Sequence, residues 1–90
     1  MTTYRFTLFI AGRSPRSTRA LENIRELGER SLGGAYELEI VDVTEDVARA
    51  EEQQIMATPT VIKSWPNPIR RVTGDLSDSE AVALALGLPR

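Results

Sequence analysis

The chain has 90 residues, of which 41% are hydrophobic and 27% charged, and its formal net charge is −2. That length suits one domain, spanning 1–90, and so even a charge balance with few aromatics argues against nucleic acid as a partner. The absence of cysteine and histidine excludes disulfides, thiolate chemistry, and the commonest general base and transition-metal ligand.

From Tyr4 to Ile10, apolar residues recur at every second position (Tyr4, Phe6, Leu8, Ile10), which is the period of a strand. Ala11-Gly12 ends it. Ser14 is a good helix N-cap and Pro15 fits the first turn. Ala20, Leu21, Ile24 and Leu27 then follow at helical spacing, with charged residues between them. Gly33-Gly34 stops this helix. Its length leaves room for a crossover to a parallel neighbour.

Tyr36 to Val43 is the second predicted strand, with Leu38 and Ile40 opposite Glu37 and Glu39. Thr44, Glu45 and Asp46 place caps and acidic charge at the start of a second, shorter helix running to about Gln54. Thr60 to Ser64 reads as a short strand. Trp65-Pro66-Asn67-Pro68 reads as a turn, because proline cannot donate to a sheet ladder. Ile69 to Thr73 is the hairpin partner, and Gly74-Asp75 turns the chain again. The last segment carries two signals. Val82, Leu84, Leu86 and Leu88 alternate as in a strand, whereas Ser77 with Glu80 forms a capping box and Ala81, Ala83 and Ala85 favour helix. The cap and the alanines agree with each other, so helix is the expectation. The order βαβαββα is the thioredoxin-like α/β plan.

Three stretches carry a family resemblance. The first is Phe9-Ile10-Ala11-Gly12 with Ser14-Pro15, Ser17 and Ala20. The second is Tyr36 to Val43. The third and most specific joins Ala57-Thr58-Pro59-Thr60, Pro66-Asn67-Pro68-Ile69-Arg70-Arg71 and Gly74-Asp75-Leu76-Ser77. Together and in order they resemble the KaiB family of circadian clock proteins. The resemblance implies a non-enzymatic regulator that binds the ATPase KaiC or a relative of it. A KaiA-like protein or a histidine kinase is a further implied partner. It implies partner-binding residues Glu52, Gln53 and Ile55 at the end of the second helix, and Lys63, Pro66, Pro68, Arg70 and Arg71 around the hairpin. It also implies fold switching between a tetrameric ground state and a thioredoxin-like monomer, so the oligomeric state is left open. Where the family has Gly-Leu-Asp, this chain has Ala85-Leu86-Gly87. Alanine favours helix over glycine by about 1 kcal/mol, and Gly87 before Pro89 is a helix stop. Ala85 and Gly87 therefore push the C-terminal segment toward the thioredoxin-like state rather than the ground-state strand.

Thr58-Pro59 stands where thioredoxin-like folds place a cis-proline, and Pro59 is expected to be a structural cis residue. No cofactor, metal or catalytic residue is expected. No apolar stretch reaches membrane-span length and the start lacks a secretory layout, so a cytoplasmic location is expected. The competing reading is a non-redox thioredoxin-like domain that binds a small anion near Pro59, using Arg13, Ser14 and Arg16 at the helix start, or that acts as a sensor partner for a separate kinase. Solvated charges on a plain hairpin and helix end are the simplest account of the remaining polar residues.

Overall fold

The computed structural model describes residues 2–89. Strand β1 (Tyr4–Ile10) leads into helix α1 (Pro15–Leu32), and strand β2 (Tyr36–Asp42) into helix α2 (Val47–Glu52). Strands β3 (Thr60–Trp65) and β4 (Arg70–Thr73) form the hairpin, and helix α3 (Ser79–Leu86) follows. The sheet order is β2-β1-β3-β4, with β1 and β2 parallel and the remaining pairs antiparallel. This is the expected thioredoxin-like βαβαββα fold, with the C-terminal segment helical.

Local chemistry explains the element ends. Ser14 caps α1 by accepting from the Ser17 N–H at 3.1 Å, with Pro15 in the first turn. At the other end Gly33 is left-handed (φ 59°), and the Gly33 and Gly34 N–H groups donate to Glu29 and Gly28 carbonyls. Several boundaries differ from expectation, β2 ending at Asp42 rather than Val43 and β4 beginning at Arg70 rather than Ile69. Helix α2 begins only at Val47, because Asp46 is its cap, accepting from the Arg49 N–H, and the helix ends at Glu52. Thr44 instead bonds Asp42. Asp78, not Ser77, caps α3 by accepting from the Ala81 N–H, while Ser77 donates its own N–H to Asp75. Trp65 ends β3 rather than opening the turn, since it pairs with Arg5 on β1. The Thr58–Pro59 peptide is cis, as are Trp65–Pro66 and Asn67–Pro68.

Strand alternation sends side chains to two layers. On one face Phe6, Leu8 and Val61 pack under Ala20, Ile24 and Leu27 of α1 and Val82 and Leu86 of α3. On the other a smaller cluster of Phe9, Val41 and Ile62 is covered by Val43 and Ile55, next to α2. A six-residue α2 covers only part of that second face. The rest is polar: Arg5 pairs with Glu37 at 3.3 Å, and Glu39 accepts two bonds from Arg49 of α2 at 2.8 and 2.9 Å. Glu37 and Glu39 are thus engaged within the chain.

Gly28 lies on the buried stripe of α1, and a β-carbon there would overlap the Tyr36 ring. Gly28→Ala is expected to destabilise the protein. Crowding costs about 1–3 kcal/mol, against a helix-propensity gain of about 1 kcal/mol. Urea unfolding should therefore show a lower midpoint than wild type despite the better helix former.

Candidate functional site

The expected partner residues fall into two groups that the fold does not bring together. Glu52, Gln53 and Ile55 follow β2 and precede β3, so they lie at the end of the sheet where β3 begins. Pro66 and Pro68 lie in the turn at the opposite end of β3. The hairpin set is further divided between the two faces. Arg70 is opposite Lys63 on β3, and Lys63 is opposite Phe6 on β1, so both share the α1–α3 face. Arg71 is opposite Ile62, which packs in the cluster beside α2. Arg71 is therefore the hairpin cation on the α2 face.

Around α2 two large apolar side chains are left exposed. Val47 is 56% exposed and Met56 93%. With Val43, Ala50, Glu51, Gln54 and Ile55 they bound an open groove of about 690 Å³. Val47 and Met56 escaped sequence reasoning. Both are apolar residues beside other apolar residues, and only the placement of the short helix leaves them uncovered.

A second cleft, of about 360 Å³, lies beside cis Pro59 and is lined by Arg16, Arg19, Asn23, Asp75 and Ser77. Asp75 accepts the Ser77 N–H at 2.9 Å. Of the residues expected to hold an anion, Arg16 lines this cleft and Arg13 does not. Ser14 is spent on capping α1. Thr60 donates to the Ala57 carbonyl at 2.7 Å and shares a hydrogen bond with Thr73, fixing the loop that carries Pro59. Among the described residues no cluster of three or more carboxylates is placed to hold a metal ion.

Asp42 joins the two loops at the β1 and β2 ends. Its Oδ1 accepts from the Thr44 hydroxyl at 2.7 Å, the Gly12 N–H at 3.0 Å and the Thr44 N–H at 2.9 Å. These bonds, the Thr44 hydroxyl first, hold its carboxyl below the ordinary value of 3.8. Glu39 is likewise held below 4.5, chiefly by the Arg49 hydrogen bond. Both groups are more acidic folded than unfolded. Their stabilisation is present above the ordinary values and is lost as pH falls through the lower folded ones. Asp42→Asn is thus expected to melt below wild type at pH 7, with the gap narrowing as the pH is lowered through the folded-state value. Melting curves across that range test this.

Comparison with known proteins adds to this geometry. The KaiB domain family matches residues 7–88. A circadian clock oscillator protein KaiB from Prochlorococcus marinus (strain MIT 9312) is 46% identical over 86 residues, covering 96% of this chain and 82% of that protein. The KaiB of Trichodesmium erythraeum (strain IMS101) is 44% identical over 86 residues, covering 96% of this chain and 83% of that protein. Among solved structures, the N-terminal domain of Synechococcus elongatus SasA superposes with a TM-score of 0.76 at 22% identity, covering 93% of this chain and 81% of that one. Yeast mitochondrial thioredoxin 3 superposes at 0.72 and 15% identity, covering 94% and 77%. Those two likenesses concern the fold alone.

Proposed function

This chain belongs to the KaiB family, and on that premise we propose that it is a non-enzymatic regulator that binds a KaiC-like ATPase and modulates its activity or assembly, in a circadian clock or related signalling. The observation that carries this reading is the uncovered apolar groove at α2, with Val47 and Met56 exposed. Exposed apolar side chains gathered at one place, rimmed by polar residues, are what a protein-binding surface needs. Of the residues implied by the resemblance, Ile55 lines that groove, and Glu52 and Gln53 at the end of α2 lie next in sequence to its lining residues Glu51 and Gln54, which supports placing the partner surface there. Arg71 shares that face and extends the surface across the sheet. The hairpin turn with Pro66 and Pro68, on the far side, is free to serve a second partner such as a KaiA-like protein or a histidine kinase. The setting is the cytoplasm, and among the described residues no helix is long and apolar enough to cross a membrane.

Binding of the purified chain to its host's KaiC-like ATPase, in both phosphorylation states, tests the reading. Arg71→Ala is expected to weaken the complex about tenfold, the loss typical of a contributing interface arginine. Arg70→Ala, on the other face, should leave it unchanged. Equal losses from both would contradict the assignment of the α2 face. No binding in either state would remove the ATPase reading. A second reading, a small-anion site, rests on the cleft lined by Arg16 and Arg19 beside Pro59. Saturable phosphate binding lost in Arg16→Ala/Arg19→Ala would favour it.

A further inference from the structure

Lys63 is the most deeply buried charged residue described, only 2% exposed. It lies on the α1–α3 face of the sheet, opposite Phe6, and its Nζ lies 5.9 Å from the centre of the Tyr4 ring. Among the described residues it has no carboxylate partner within 4 Å and no side-chain hydrogen bond. Among the described residues no buried side-chain nitrogen or oxygen lacks a hydrogen-bond partner, and Arg70 and Gly87 beside the Nζ tip are exposed. Its neighbour across the hairpin is another cation, Arg70. Burial first, and then Arg70, push the Lys63 ammonium to a lower pKa than usual.

Both cations converge on Gly87, the left-handed cap of α3 (φ 71°). A β-carbon built there would lie 3.7 Å from Lys63 Nζ and 3.8 Å from Arg70 Nε. At this exposed position a group would therefore meet both like charges in ordinary van der Waals contact, without a clash. We propose that Lys63, Arg70 and the open position at Gly87 form a receptor for one carboxylate, delivered by an acidic side chain of a protein partner. A carboxylate fits better than a phosphate dianion, because the carbonyl end of α3, where the helix dipole is negative, borders the same notch. A protein fits better than a free small acid. Among the described residues neither the α2 groove nor the Pro59 cleft is lined by Lys63, Arg70 or Gly87, and the exposed Arg70 and Gly87 leave the notch open to a partner's surface. This surface lies on the opposite face from the α2 groove, and the inference is independent of which protein binds at α2.

Gly87→Asp places a tethered carboxylate in the notch, and Gly87→Asn is its uncharged counterpart of equal shape. Asp and Asn are the side chains that best tolerate the left-handed conformation. The Lys63 Cε signal, followed by NMR against pH, should titrate at a clearly higher midpoint in Gly87→Asp than in Gly87→Asn. Equal midpoints would overturn the site. A capped Gly-Asp-Gly peptide, titrated into the wild-type chain, should shift the Gly87 and Leu88 amides saturably. Its Gly-Asn-Gly counterpart should not, and Lys63→Met should abolish the shift. Identical behaviour of the two peptides, or persistence in Lys63→Met, would overturn the proposal. Free acetate binding as tightly as the acidic peptide would overturn the assignment to a protein side chain.

Discussion

Leu86→Ala is expected to lower the unfolding free energy by about 2–5 kcal/mol, while Leu84→Ala changes it by less than about 0.5 kcal/mol. The two residues are chemically identical and two positions apart. Leu86 is fully buried with Val82 one helical turn before it, whereas Leu84 is 65% exposed. That pattern belongs to a helix. In a strand, Val82, Leu84, Leu86 and Leu88 would share one face and the two truncations would cost the same. A domain of this size holds only about 5–15 kcal/mol in total, so Leu86→Ala should leave the chain close to unfolding. Urea denaturation of both variants, followed by circular dichroism, gives the comparison directly. Similar costs would mean that the C-terminal segment rests as a strand in solution. Ala85 is exposed on α3 and Gly87 ends it, so the two family departures sit where they favour the helix without touching the core.

Much of this architecture was legible in the sequence, and the exceptions have physical causes. Helix α1 announced itself twice, by Ser14-Pro15 at one end and Gly33-Gly34 at the other. The cis peptide before Pro59 and the helical C-terminal segment were also readable. Caps were harder to place to the residue. Thr44, Asp46, Ser77 and Asp78 are all competent, and the one used depends on which loop bonds are already taken. Asp42 claims Thr44, and Asp75 claims the Ser77 N–H. Burial was hardest of all. Ile40 alternates perfectly with Glu39, yet it is 41% exposed because β2 is an edge strand beyond the cover of α1. Lys63 reads as a surface charge and is instead buried, because β3 is a central strand with helices on its face. The candidate site split for the same reason. Arg70 and Arg71 are neighbours in sequence, but a strand sends them to opposite layers, and only the sheet order says which layer holds α2.

The α2 groove makes the sharper functional prediction. Val47→Asp combined with Met56→Asp is expected to weaken the complex with the KaiC-like ATPase by about 30-fold or more, the effect of removing an interface hot spot. Both side chains are exposed and Met56 lies outside any helix or strand. The unfolding free energy should therefore stay within about 0.5 kcal/mol of wild type. Leu84→Asp is the matching control, since it removes an equally exposed apolar side chain from α3 on the opposite face. If all exposed apolar groups merely adhere to the ATPase, it will weaken binding as much as the α2 pair does. Aspartate changes two things at once, because it adds charge as well as removing an apolar side chain. Glu51 already borders the groove, and a basic partner would welcome more acid there. Val47→Ala/Met56→Ala removes the apolar surface and adds no charge. Weaker binding in the alanine pair as well as in the aspartate pair, with Leu84→Asp unaffected, would identify apolar burial at α2 as the source of affinity. Weakening confined to the aspartate pair would show that the groove only lies near the interface.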